Sequence, residues 1–167
     1  MTQYYDLLES PIGLLLVACD DSGAVTHLYT KGAEATVAGW PDAVRDPERC
    51  AAVREQIEEY FGGKRRSFDL PLNPRGTPFQ KSVWAALVEI PFGETRSYGQ
   101  LAVQLGNPGA SRAVGRANAT NPISIIVPCH RVIGSAGALT GYAGGLSIKE
   151  KLLALEGGLP QAQRTLL

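Results

Sequence analysis

Ser97-Tyr98-Gly99-Gln100-Leu101-Ala102-Val103-Gln104-Leu105, Gly106-Asn107-Pro108-Gly109 and Ala110-Ser111-Arg112-Ala113-Val114-Gly115-Arg116-Ala117-Asn118-Ala119 together set the architecture of this chain. Ser97 with Gln100 is a capping-box pattern, each side chain satisfying a backbone N–H of the other, so a short helix opens here and runs to about Leu105. Gly106 to Gly109 reads as a tight turn and Ala110 to Ala119 as the next helix. Two short helices joined by such a turn form a helix-turn-helix. The second helix is nearly without side chains, except that Arg112 and Arg116 stand one turn apart on one face. It cannot reach base edges in a major groove about 8.5 Å deep. Its small residues would instead let the backbone approach a duplex closely, with Arg112 extended as a wedge. A small-residue helix packed inside a core is the competing reading, and the acid-free surroundings described below weigh against it.

Downstream, Pro128-Cys129-His130-Arg131-Val132 sets a strong nucleophile beside the commonest general base. A free thiol is only a few per cent thiolate at neutral pH, and a neighbouring imidazole raises that fraction. The approach, Asn121-Pro122-Ile123-Ser124-Ile125-Ile126-Val127, is apolar and β-branched and reads as a buried strand. By itself a Cys-His pair reads more readily as a structural cysteine beside a satisfied histidine. The residues around it turn the balance towards a reactive thiol.

Upstream, Thr77-Pro78-Phe79-Gln80 is a second cap, with Pro at the first helical position, and predicts a helix to about Glu89. Ser147-Ile148-Lys149-Glu150 is a third, opening a helix that ends near Glu156. Gly134 to Tyr142, rich in glycine, suits a wing. The first third differs: Tyr4–Leu8, Leu14–Cys19 and Ala24–Tyr29 read as strands, the first two joined by Ser10-Pro11-Ile12-Gly13. Asp46-Pro47 is expected to open a helix to Phe61, Phe68–Leu70 to form a short strand, and Leu70–Gly76 to be a linker. The fold class is therefore α+β: an α/β domain over 1–75, then a mainly helical winged-helix or helix-turn-helix domain over 76–167.

Net charge is zero, but its distribution is uneven. Residues 1–94 carry nine Lys and Arg against fourteen Asp and Glu, a net of −5. Residues 95–149 carry Arg96, Arg112, Arg116, Arg131 and Lys149 and no carboxylate, a net of +5. Such a stretch is a modest footprint for a polyanion. No apolar run approaches the ~20 residues of a membrane span, and Met1-Thr2-Gln3-Tyr4-Tyr5-Asp6 lacks the basic and apolar regions of an export signal, so a cytoplasmic protein without membrane association is expected. Three cysteines at wide spacing argue against a disulfide framework. Cys19, His27, Cys50 and His130 are the conceivable soft ligands, and with His130 committed elsewhere they do not make a tetrahedral site. No metal and no cofactor is expected.

From Gly76 to Gly158 the chain resembles the O6-alkylguanine-DNA alkyltransferases of the free-standing constitutive type. The resemblance runs through Arg96–Gly99, Ser111–Gly115, Asn121–Ile123, Pro128–Val132, Gly141-Tyr142-Ala143-Gly144-Gly145 and Leu152–Gly157, and more loosely through Ser10–Gly13. It implies a ribonuclease-H-like first domain and single-turnover repair of double-stranded DNA containing O6-alkylguanine, with O4-alkylthymine left open. The damaged base is rotated out through the minor groove and its alkyl group passes irreversibly to a cysteine. By position the acceptor is Cys129, deprotonated through a water by His130, which Glu156 holds; Asn121 aligns the chain of hydrogen bonds. Tyr98 crowds the phosphate during flipping and donates its hydroxyl to guanine, while Arg112 fills the vacated gap. Ser97, Ala113, Gly115, Arg116 and Asn118 would also face DNA. Val127, Pro128, Tyr142 and Gly144 would border the substrate pocket, with the Val127 and Cys129 carbonyls reading guanine. A monomer in solution is expected, with cooperativity along DNA left open. A DNA-binding regulator with a structural Cys129, and a cysteine hydrolase, are the alternatives. For this chemistry the sulfur must be reachable and must face the arginine-bearing helix.

Overall fold

The computed structural model describes residues 2–134 and 145–157. The chain divides into one compact unit of residues 1–75 with 122–126, and a second of 76–121 with the residues from 127 on. The architecture is α+β.

The first unit holds a four-stranded sheet. β1 (Tyr4–Ser10) and β2 (Gly13–Cys19) pair antiparallel from Tyr4↔Cys19 to Ser10↔Gly13. Gly13, at φ 109°, takes the left-handed conformation the hairpin needs. β3 (Val25–Tyr29) adds antiparallel to β2, and β4 (Val44–Arg45) adds parallel to β1, giving the order β3-β2-β1-β4. β2 is buried from Leu15 to Cys19, as its unbroken apolar run requires of a central strand. α1 (Ala33–Ala38) and β4 carry no strong sequence signal. α2 (Ala51–Phe61) buries Val53, Ile57 and Tyr60, one face at helical spacing. It starts later than the Asp46-Pro47 signal predicts. Asp46 Oδ1 does accept from Arg49 N at 3.1 Å, but this caps a turn ahead of the helix.

Phe68–Leu70 is not a strand. The pairing falls two residues later, at a parallel bridge between Leu72 and Val25, so the predicted linker is partly built into the first unit. Residues 122–126 belong there as well: Leu28 N donates to Pro122 O at 2.9 Å and Ser124 N to Leu28 O at 3.0 Å. This segment is buried, as its composition implies, yet it is not the regular strand expected. Ile126 N closes on Ser124 O at 2.8 Å around Ile125, whose φ of 71° is the rare γ-turn conformation, strained by about 1–3 kcal/mol for a β-branched residue.

In the second unit α3 (Pro78–Val88) starts with the complete Thr77–Gln80 capping box. Its Trp84 Nε1 donates to Ala117 O at 2.8 Å, anchoring α5 (Ser111–Ala119). Gly76 admits the Trp84 ring: a Cβ there would lie 2.5 Å from Trp84 Cη2. α4 (Tyr98–Gln104) starts with the Ser97–Gln100 capping box and leads through Gly106 (φ 79°) and a 3-10 turn at Pro108–Ala110 into α5, the predicted helix-turn-helix. β5 (Arg96–Ser97) and β6 (Val132–Ile133) pair parallel, a two-residue ladder too short to read in sequence. α6 (Leu146–Glu156) begins one residue before the predicted cap, so Ser147 lies inside the first turn and Gly145 at the N-cap; Gly157, at φ 73°, ends it. The expected wing lies outside the described residues beyond Gly134.

Candidate active site

Cys129 opens a single 3-10 turn, Cys129–Arg131, between Pro128 and β6. Pro128, at φ −81° and ψ 65°, sits in an inverse γ-turn closed by Cys129 N donating to Val127 O at 2.8 Å. The ring fixes φ, and the turn aims the next three side chains into the unit. Two asparagines on the C-terminal side of α5 hold this corner from behind. Asn121 Nδ2 donates to Val127 O at 2.9 Å, and Asn118 Nδ2 to Cys129 O at 3.4 Å. The backbone at Val127 and Cys129 is thus tied to the arginine-bearing helix. Cys129 is only 2% exposed, so the reachability expected from the sequence does not hold for a bulky group in this conformation.

His130 follows, wholly buried, and its Nε2 meets Glu156 Oε2 at 2.7 Å. Its Nδ1 is buried with no hydrogen-bond partner among the described residues. Glu156 is shared. Arg131 Nε donates to its Oε1 at 2.8 Å and Arg131 Nη2 to its Oε2 at 3.0 Å, while Nη1 donates to Ile90 O at 2.6 Å. A bidentate guanidinium fixes the carboxylate plane, and with it the direction offered to His130.

The electrostatics follow from burial and this sharing. Desolvation holds His130 below the usual imidazole range; its bond to Glu156 acts the other way, and Arg131 and Lys149 reinforce the burial. Burial would raise Glu156, but His130 and Arg131 outweigh it and hold the carboxyl at about 2. Around neutral pH the pair is therefore a neutral imidazole on a carboxylate: Nε2–H donates to Glu156, and Nδ1 carries the lone pair. Lys149, buried on α6, donates from Nζ to Val132 O; desolvation lowers it to about 8, with Cys129 acting to raise it.

Arg131 and Lys149 do not sit where the charge pattern suggests. Both belong to the basic footprint, yet both are buried, and Arg96 pairs with Glu94 at 3.1 Å. The outward charge of the stretch shrinks to Arg112 and Arg116, which are exposed and make no ion pair among the described residues. A usable signal exists for Lys149: with Leu152, Leu153 and Glu156 it forms one helical stripe, and those four are the buried face of α6.

Tyr98, in the first turn of α4, lies against α5, since a Cβ on Gly115 would meet its Cδ1 and Cε1 at 3.8 Å. Ser97 Oγ is occupied as a cap, accepting from Gln100 N at 3.1 Å. Ala113 and Gly115 are half-buried. Asn118 does not face outward as expected: it is 1% exposed, and a side chain spaced one turn from Val114 and next to Ala117 points inward. Tyr142 and Gly144 lie outside the described residues. Among the described residues no three His, Cys, Asp or Glu are grouped to hold a metal, and no helix is long and apolar enough to cross a membrane.

Residues 78–158 match the DNA binding domain, and residues 3–74 the ribonuclease-like domain, of 6-O-methylguanine DNA methyltransferase. The chain is 56% identical over 155 residues to a methylated-DNA–protein-cysteine methyltransferase of Methanosarcina acetivorans, covering 92% of this chain and 98% of that one. The crystal structure of the Mycobacterium tuberculosis O6-methylguanine methyltransferase superposes with a TM-score of 0.84 at 46% identity, covering 98% of each chain. A Mycobacterium tuberculosis structure in complex with DNA superposes with a TM-score of 0.83 at 44% identity, covering 99% of each.

Proposed function

The chain belongs to the 6-O-methylguanine DNA methyltransferase family, and from that membership we propose that it repairs DNA by moving the alkyl group of O6-alkylguanine onto Cys129, once per molecule. The observation that carries the reading is the Glu156–His130 bond with a buried Nδ1 that has no partner among the described residues, one residue from the acceptor. The thiol proton passes through a water to Nδ1, and Glu156 stabilises the imidazolium that forms. The thiolate attacks the alkyl carbon in line with O6; the S–C bond forms as the C–O bond breaks, and the electron pair leaves on the guanine oxygen. Tyr98 donates a hydroxyl hydrogen bond to that oxygen and offsets its growing charge. The thioether is stable to water, so the protein is consumed.

A base stacked in a duplex cannot bring its alkyl group to Cys129, so the base must flip, and with Cys129 only 2% exposed the corner must also open to admit it. Arg112 would fill the gap, and the small residues of α5 would let its backbone lie against the minor groove. The carbonyls of Val127 and Cys129, held by Asn121 and Asn118, would read the guanine edge. With two outward cations on α5, binding should be weak and its logarithm should fall with salt at a slope of about −2. O4-alkylthymine carries the same oxygen-bound alkyl carbon and is the second substrate to test.

Incubation with a duplex containing O6-methylguanine, followed by mass spectrometry, should find one methyl on the peptide containing Cys129 and none elsewhere. An unmodified protein would favour a DNA-binding regulator, and continued turnover a hydrolase.

A further inference from the structure

The first unit holds two thiols the repair chemistry does not use. Cys19 Sγ and Cys50 Sγ are 3.7 Å apart and both residues are buried; neither is in a disulfide. From their geometry we propose that the pair is an oxidative modification site, at which a hydroperoxide converts Cys19 to a sulfenic acid and Cys50 closes it into a disulfide. In the first step the Cys19 thiolate attacks the peroxide oxygen, the O–O bond breaks, and hydroxide or alkoxide leaves. In the second the Cys50 sulfur attacks the Cys19 sulfenic sulfur, an S–S bond forms, and hydroxide leaves with the Cys50 proton as water.

Three observations support this order. First, Cys19, and not Cys50, lines a cavity of about 390 Å³ together with Gln3, Thr26, His27, Trp40 and Arg75, so a small oxidant meets it first. Second, the two sulfurs are unequal. The bond from Cys50 lowers the Cys19 thiol and burial opposes it; Asp20 and Asp46 also oppose it, and Arg49 assists. The same bond raises Cys50, so Cys19 is the sulfur that ionises. Third, the backbone can yield at both ends. A disulfide needs the sulfurs about 1.7 Å closer, a change within reach of side-chain rotation and small backbone shifts. Cys19 is the last residue of β2, beside a register irregularity with β3, and Cys50 is the N-cap of α2 with no side-chain cap to lose.

This oxidation does not depend on alkyl transfer, and its test excludes the acceptor. A full-length Cys129→Ser protein retains only this pair. Brief treatment with hydrogen peroxide should lower its intact mass by two hydrogens and, on non-reducing digestion, yield a peptide joining Cys19 to Cys50. Dithiothreitol should reverse both, and the oxidised form should melt several degrees higher, since the link closes a 31-residue separation. Adding Cys50→Ser should leave Cys19 as a sulfenic acid that dimedone traps several-fold more than in the parent. Disulfides between molecules, over-oxidation of Cys19 with Cys50 still reduced, or two unreacted thiols at a dose that oxidises free glutathione would each overturn it. Where the double variant does not fold, the parent's peptide map decides alone.

Discussion

The corner around Cys129, the proposed acceptor, and the Cys19–Cys50 pair are both buried sulfur sites, and they differ in company rather than in burial. Cys129 is surrounded by ionisable groups that constrain one another: Lys149 acting on the sulfur, and His130, Glu156 and Arg131 in a closed hydrogen-bonded set. Among the described residues Cys19 is hydrogen-bonded to a second thiol and to the Arg49 carbonyl, each 3.7 Å from its sulfur, and the charges that act on it, Asp20, Asp46 and Arg49, form no closed set around it. Burying three or four charged groups costs several kcal/mol per ion before pairing offsets it. A cysteine needed only for packing requires none of them. On the proposals above, the first site moves a proton away from sulfur, and the second gives two electrons to a peroxide and closes a bond to its neighbour.

Exchanging the sulfurs one at a time tests this contrast most severely. Cys129→Ser should bind lesion DNA and accept no methyl, while Cys19→Ser should still accept one equivalent; any methyl on the first protein, read by peptide mass, removes the assigned nucleophile. Glu156→Gln strips the carboxylate from both His130 and Arg131. It should slow transfer about 10²–10³-fold and lower stability by about 3–5 kcal/mol in urea, as for a broken buried ion pair. Arg112→Ala touches neither sulfur. It should slow repair in duplex DNA about 10–100-fold, equivalent to about 1.4–2.8 kcal/mol, and leave reaction with free O6-benzylguanine unchanged; equal losses in both assays would rule out the wedge.

A smaller effect lies in pH. His130 has a folded pKa below its ordinary 6.5, so as pH falls through 6.5 the unfolded chain takes the proton first and stability declines. Glu156, at about 2 folded and 4.5 otherwise, contributes stability that is complete above 4.5 and lost as pH falls toward 2. Transfer should stay level as pH drops through 6.5, because the folded imidazole is still neutral; a half-loss of rate at 6.5 would mean His130 is not held as described. The smallest change is expected from Cys50→Ala, about 1–2 kcal/mol of stability from a small cavity, with the transfer stoichiometry untouched.

Much of the second unit is legible in the sequence because its signals are local. Thr77 with Gln80 and Ser97 with Gln100 specify helix starts within four residues, and both boxes are present. The Ser147 box fails where a glycine at the preceding N-cap offers an earlier start. β4, and the β5–β6 ladder, are not legible because two-residue strands exist only through their partners. Asn118 and Lys149 show the same limit at the site. Residue type suggests surface for both, yet each has a buried carbonyl to bond, Cys129 O and Val132 O.

The order of residues suffices for the helix-turn-helix, for the Cys129–His130 adjacency and, through likeness to a family, for the chemistry to look for. Those features depend on neighbours within a few residues, whose geometry backbone physics dictates. Only in the folded chain does Arg131 clamp Glu156, does the basic stretch turn two of its five cations inward, and does Cys19 lie against Cys50. A charge or a thiol has no intrinsic side of the surface; the partner that can satisfy it lies far along the chain, and folding alone brings the two together.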